Sequence, residues 1–202
     1  MKKTIKLVFA VILLFTAIQN ANAQFSKKGD SREPDRFHMG IRGGFTVNTY
    51  TGGGYESVIF PTGGLALDFK VAPFPLFVGV GVNYVNYGTK AEYYNYSRYG
   101  SYTSKKTIDG HSIQVPITVS YHINVAPKLF INPFIGEFSA YNFNNDFKEQ
   151  FNYGLRFGCG MNYGRLTFEA GYDLGLANLA KSGTARTSTF FMNIGFNWAG
   201  SK

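Results

Sequence analysis

Three histidines, one cysteine and a set of scattered carboxylates are the side chains of this 202-residue chain that could do chemistry. Acyl transfer is the first possibility to weigh, because it needs a hydroxyl or thiol within hydrogen-bond reach of an imidazole. His111-Ser112 supplies both residue types side by side. They stand, however, at the head of Ile113-Gln114-Val115-Pro116-Ile117, where apolar and polar residues alternate. In a strand, adjacent side chains leave on opposite faces, so neither can serve the other. His38 and His122 lie near strand ends and are expected as satisfied rim histidines. Cys159 is alone, so it closes no internal disulfide and anchors no metal set. It stands among apolar alternates and reads as a small hydrophobe. The run Gly40–Gly44 lacks the GxGxxG spacing and no helix follows it, so it is no phosphate cradle. No catalytic, cofactor or metal set is expected, and the chain is not read as an enzyme.

The charged residues make more sense once placed on strands. From Phe151 to Tyr163 every odd position is apolar, Phe151, Tyr153, Leu155, Phe157, Cys159, Met161 and Tyr163, apart from none; from Leu166 to Leu176 the even positions are. Period-2 alternation marks strands with one oily and one polar face. The switch of parity across Gly164-Arg165 is what a two-residue hairpin requires, and Gly164 suits a type II′ turn with φ > 0 at its first position. Pairing around that turn puts Arg156 opposite Asp173 and Gly160 opposite Glu169, all on the polar face. No helix or second oily sheet is visible in the sequence to cover the apolar face. Lipid can cover it, with the polar face lining a closed barrel.

The rest of the chain repeats the pattern. The first strand, about Phe37–Asn48, sends Met39, Ile41, Phe45 and Val47 to the oily side and His38, Arg42, Thr46 and Asn48 to the other. After a loop at Thr51–Pro61, the second strand places Leu65, Leu67, Phe69 and Val71 outward and Ala66, Asp68 and Lys70 inward. The third, Leu76–Tyr87, blurs at Val85 and Tyr87, as a bulge would make it. The fourth carries Ile113, Val115, Ile117, Val119, Tyr121 and Ile123 outward, with Pro116 removing a ladder donor and predicting a local kink. A short turn is expected at Asn124–Lys128. The fifth strand, Leu129–Asn142, is ambiguous: Phe130, Phe134 and Phe138 share one parity and Ile131, Ile135 and Glu137 the other. A lipid-facing glutamate is costly, which favours Glu137 inward and the phenylalanines outward. The last strand points Phe190, Met192, Ile194, Phe196 and Trp198 out.

These eight strands alternate long and short connections, as outer-membrane barrels do. The expected fold is an all-β, eight-stranded antiparallel up-and-down barrel over residues 37–198, just wide enough for its own side chains to fill. Inward charges Arg42, Lys70 and Arg156 face Asp68, Glu137, Glu169 and Asp173, so the lumen is expected to hold a salt-bridged plug. The longest connection, Gly88–Gly110, carries Tyr93, Tyr94, Tyr96, Arg98, Tyr99 and Tyr102. Tyrosine and arginine are favoured at binding surfaces, and this loop is the candidate partner-binding element. Tyrosines there would equally extend a hairpin and belt the membrane interface.

Residues 1–23 read as an export signal: Lys2, Lys3 and Lys6, then the apolar run Leu7–Ile18, then Ala21-Asn22-Ala23. Residues 24–36 form a polar, flexible lead-in on the periplasmic side, and residues 199–202 a short tail. The net charge of +8 falls to +5 once the three leader lysines are removed from 20 basic against 12 acidic residues. The basic residues are scattered instead of gathered in a stripe, which argues against nucleic acid as a partner. A basic exterior suits phosphorylated sugars of an outer leaflet. The mean hydropathy of −0.11 conceals the membrane character because it averages two faces.

The segments His38-Met39-Gly40-Ile41-Arg42-Gly43-Gly44, Ile113–Ile117, Tyr153–Gly160 and Phe168–Leu179 resemble the PorT-like small outer-membrane β-barrel proteins of Bacteroidota. The resemblance spans about Phe37 to Trp198 and implies an eight-stranded barrel in a Gram-negative outer membrane. Some relatives serve the type IX secretion apparatus. One departure is that four residues follow Trp198, where such barrels usually stop at an aromatic. The reading is a non-enzymatic structural or interaction component of the envelope, in contact with outer-membrane lipid and with the barrel assembly machinery during insertion, and with a secretion or envelope complex as the expected partner. A small channel or transport barrel is the alternative.

Overall fold

The computed structural model describes residues 37–51, 55–71, 74–97, 100–108, 110–143, 150–179 and 185–199. The expected export signal and lead-in, 1–36, and the end of the tail lie outside them. In chain order the strands are β1 (Phe37–Tyr50), β2 (Tyr55–Glu56), β3 (Val58–Lys70), β4 (Leu76–Asn86), β5 (Thr89–Ser97) and β6 (Gly100–Ile108). They continue as β7 (His111–Tyr121), β8 (Ile123–Ala126), β9 (Leu129–Asn142), β10 (Phe151–Tyr163), β11 (Leu166–Gly175) and β12 (Thr187–Ala199).

Eight of these strands, β1, β3, β4, β7, β9, β10, β11 and β12, pair antiparallel in sequence, and β12 pairs back onto β1. The ring is closed, so no sheet edge is left to face lipid. Its inside and outside are inverted relative to a water-soluble protein. Buried positions hold Arg42, Asn48, Gln114, Asn152, Arg156, Asp173 and Asn197, while Ile41, Leu65, Ile135, Leu155, Ile194 and Trp198 are exposed. The β10–β11 hairpin has Arg156 opposite Asp173 and Gly160 opposite Glu169, and Gly164 takes φ +58° in the turn, as the parity switch requires.

Glycines let the lumen take large rings. A Cβ at Gly154 would lie 2.8 Å from Phe138 Cε1, and one at Gly158 would lie 2.6 Å from Phe134 Cζ. At Gly171 it would lie 2.7 Å from Phe191 Cζ. Each phenylalanine thus fills the volume that a side chain on the facing strand would need, and a barrel of this girth is packed solid by such exchanges.

This packing corrects the expectation for β9. Phe138 is buried in the lumen and Glu137 is exposed on the outer face, the reverse of the parity inferred from charge alone. The ladder enforces it: Glu137 pairs with Leu155 on β10 and Ile117 on β7, and paired residues share a face. Lumen filling outweighs the cost of one outward acid. The same logic corrects β4. No bulge separates Val85 and Tyr87 from the strand below; they continue the inward parity of Gly79, Gly81 and Asn83 and meet Phe138 and Ala140 in a buried cluster. At Pro116 the β4–β7 ladder skips two pairs between Val80–Ile117 and Asn83–Gln114, as a missing N–H donor predicts, while the register is unshifted.

Two connections are more ordered than expected: the segment Val58–Pro61 belongs to β3, and β8 carries the chain past β7 to a turn at Pro127-Lys128. Gly88–Gly110 is mostly a paired ribbon, the extended-hairpin alternative of the sequence reading. The β5–β6 ladder runs from Thr89–Ile108 to Ser97–Gly100, and β2 joins β5 through Tyr55–Ala91 and Glu56–Lys90. Ala199 still pairs with Met39, so the barrel strand passes Trp198.

Truncating a lumen ring opens a cavity, whereas truncating a lipid-facing ring does not. Phe138→Ala should therefore cost about 3–5 kcal/mol, and Phe157→Ala on the outer face clearly less, as read by urea unfolding of the barrel in lipid vesicles.

Candidate functional site

Two polar clusters occupy the lumen. In the first, Arg156 on β10 sits against Asp173 on β11, Nη1 to Oδ2 3.5 Å, and donates to Gln114 Oε1 at 2.9 Å. Gln114 Nε2 in turn donates to Asp173 Oδ2 at 2.9 Å and to the Tyr87 hydroxyl at 2.7 Å. The Arg156 guanidinium carbon lies 3.9 Å from the centroid of the Phe191 ring. Since Gln114 is on β7, the cluster reaches across the lumen and does not merely run along one ladder. In the second, Arg42 Nε meets Glu169 Oε1 at 3.1 Å and Arg42 Nη2 meets Asp68 Oδ2 at 3.8 Å. Arg42 Nη1 also donates to Asn197 Oδ1 at 2.9 Å. One arginine thereby links β3, β1, β12 and β11. Lys70 shares the inward face with its ladder partner Phe77. Glu137 is not part of either cluster.

Between these clusters lies a cavity of about 70 Å³, bordered by Arg42, Asp68, Asn132, Asn162, Glu169 and Asn193. It has room for a few waters. The buried Oδ1 atoms of Asn132, Asn162 and Asn193 have no protein partner, which is what a hydrated polar cavity provides for. Tyr87, Phe138 and Phe191 are each almost fully buried and fill part of the lumen.

His111 and Ser112 diverge as alternation requires. His111 is exposed and its Nδ1 meets the Tyr84 hydroxyl, while Ser112 is buried and bonded to Gly110 O and Asn142. A different pair was overlooked in the sequence: Ser120 Oγ lies 3.3 Å from His122 Nε2, two residues apart on one face. The i, i+2 spacing could have flagged it. It is not a competent nucleophile–base dyad. His122 Nδ1 has no partner to orient the ring, and both residues are buried. Instead His122 stacks on Phe77 at 3.8 Å and faces His38 at 5.9 Å. Cys159 is an exposed free thiol on the outer face. Among the described residues no group of three or more potential metal ligands exists.

At the other end of the barrel the ribbon is clamped at its base. Asn86 Oδ1 accepts from the backbone N–H of Gly88 at 2.8 Å and of Gly110 at 2.9 Å. Asn48 Nδ2 donates to Asn86 O, the Tyr50 hydroxyl donates to Tyr87 O, and Thr89 Oγ1 donates to Glu56 O at 3.1 Å. Of the candidate loop residues, Tyr93 pairs with Ser104, Tyr94 with Thr103, Tyr96 with Ser101 and Tyr102 with Asn95. Arg98 and Tyr99 lie outside the described residues.

A closed ring of eight antiparallel strands, oily outside and polar within, is the architecture that lipid demands. The family model for the outer membrane protein β-barrel domain matches residues 22–181. The chain belongs to that family. This outer-membrane barrel is also similar to three solved structures of its kind. Neisserial surface protein A shares 10% identity, covering 80% of this chain and 97% of that one, with a TM-score of 0.45. Ail of Yersinia pestis, in complex with a heparin analogue, shares 13% over 81% and 99% of the two chains at 0.40. The N-terminal barrel domain of Pseudomonas aeruginosa OprF shares 11% over 80% and 98%, also at 0.40. Such distant likenesses carry no functional argument. No curated protein sequence matches. The outer membrane is the location of this barrel, and its outer face sits in lipid.

Two outcomes follow from the buried groups. Removing one partner of a buried ion pair strands the other, so Arg156→Met should cost about 3–5 kcal/mol, and Asp173→Asn in the same chain should recover part of it in urea unfolding. His122, in the connection between β7 and β8, is held neutral by burial and then by its neighbour His38, its pKa lowered to about 3 from 6.5. The unfolded chain therefore takes up the proton first on acidification. The contribution of neutral His122 is complete above pH 6.5 and is lost as pH falls from there toward 3. Unfolding midpoints at pH 7 and pH 5 should differ, and His122→Phe should narrow that difference.

Proposed function

We propose that this barrel is a non-enzymatic structural or interaction component of the outer membrane that presents the β5–β6 ribbon to a partner outside the bilayer. The observation that carries the reading is the clamped base of the ribbon. Asn86, Asn48, Tyr50 and Tyr87 bind its two strands to the barrel with buried hydrogen bonds, so the tyrosine-rich connection leaves the barrel in a fixed direction. A preorganised element loses less entropy on binding than a free loop does. Long connections of such barrels face outward, which puts the ribbon on the extracellular side. Tyr93, Tyr94, Tyr96, Arg98, Tyr99 and Tyr102 are the proposed contact residues, and Tyr and Arg suit that role.

The resemblance to PorT-like barrels of Bacteroidota supports a finer version, in which the partner belongs to a secretion or envelope complex. The lumen clusters are proposed as a structural plug. A small channel would need a continuous path, and the cross-lumen contact of Arg156, Gln114 and Tyr87 stands in its way. Residues 1–23 are proposed to export the chain, with the barrel assembly machinery inserting it.

Replacing residues 91–106 by a short Asn-Gly hairpin should leave a folded, heat-modifiable barrel on gels. A tagged copy should then lose the stoichiometric envelope protein that the intact chain retains after cross-linking in native membranes. Retention of that protein by the ribbon-less barrel would overturn the proposal.

A further inference from the structure

The outward side chains of the eight barrel strands carry a single charge among the described residues, and it is Glu137. Its ladder neighbours are Ile117 and Leu155, and Ile135, Tyr153 and Phe157 stand exposed around it. The position lies well inside the strand, eight residues from Leu129 at the turn end and five from Asn142 at the loop end. Among the described residues no hydrogen bond or ion pair reaches its carboxylate: the arginines of the barrel strands serve the lumen, where Arg42 is paired with Asp68 and Glu169, and Arg156 with Asp173. The fold does not require an acid here. A leucine would match Ile117 and Leu155, and the other face of β9 is already occupied by Phe134 and Phe138. An ionisable group left facing hydrocarbon with no partner is costly, and such groups generally mark a contact.

We propose that the outer face of β9 around Glu137 is a lateral docking surface for a membrane-embedded segment of a partner protein that brings a lysine or arginine to this carboxylate. Charge selects the occupant. A second copy of this chain offers no outward cation on its described barrel strands, so like would meet like within the bilayer. A lipid tail offers no donor at all. A basic side chain arriving within the bilayer would form a charge-assisted hydrogen bond in low dielectric, and the apolar ring of Ile117, Ile135, Leu155 and Phe157 would exclude water around it. Ser139, on the same outward stripe, adds a hydroxyl beside the acid. This inference rests on the reading of the barrel as an interaction component but uses a surface separate from the ribbon.

The test places a photo-crosslinking amino acid at Ser139, with Phe45 on β1, across the ring, as control, in the full chain in native membranes. The expected result is one protein cross-linked from position 139 and not from 45. The linked peptide should map to a membrane-embedded segment of that protein beside a lysine or arginine. Its yield should fall about tenfold in Glu137→Gln, the equivalent of 1.4 kcal/mol, and survive in Glu137→Asp. Heat-modifiability on gels verifies that both variants fold. Cross-links to lipid only, to a second copy of this chain, or to a protein retained equally by Glu137→Gln would each overturn the inference. If the ribbon replacement still abolishes capture of its own partner in that case, the proposed function stands and only the lateral site falls.

Discussion

Closure of the β1–β12 ladder is the constraint on which everything else depends. In hydrocarbon an unpaired backbone N–H or C=O has no water to turn to, so a sheet survives only if its first and last strands find each other. Here they pair from Met39–Ala199 to Tyr50–Thr187. Once the ring shuts at eight strands, its girth is set, and with it the volume that lumen side chains must fill. The glycine–phenylalanine exchanges and the two arginine clusters are consequences of that volume.

The lumen also shows how a barrel can be polar without being a pore. Arg42 ties four consecutive strands of the ring, whereas Arg156 reaches through Gln114 toward Tyr87 on the far wall. The first cluster stiffens the wall and the second spans the bore. Both are sheltered enough that removing one member strands another, so they hold register as well as shape. The small cavity between them is polar space bordered by Asn132, Asn162 and Asn193.

The interaction role proposed for this molecule falls to the surfaces that closure does not need. One is the ribbon, held by Asn86 at its base and built from backbone pairs that continue beyond the barrel. The other is the patch around Glu137, where the ladder dictates the direction of the side chain but not its chemistry. The two face different surroundings, aqueous and lipid, so the partners proposed for them would be selected by different physics: aromatic contact area in one case, a desolvated charge in the other.

Most of the barrel was legible in the sequence because a period of two is a local property. The β10–β11 hairpin, the outward faces of β1, β3, β7 and β12, and the opposition of Arg156 to Asp173 follow from alternation and one glycine turn. The parity of β9 did not, since both of its faces carry large apolar residues and the tie was broken by the cost of a lipid-facing acid. The tertiary structure broke it the other way: Phe134 and Phe138 are needed over Gly158 and Gly154 of β10, at a register that alternation alone does not set. The ribbon was legible only as one of two readings, a binding loop or an extended hairpin, and the pairing of β5 with β6 gives the hairpin. The contacts Arg42–Glu169 and Arg156–Gln114 likewise depend on the twist and girth of the closed ring. Sequence fixes which face a side chain takes along a strand; only closure decides what it meets across the lumen.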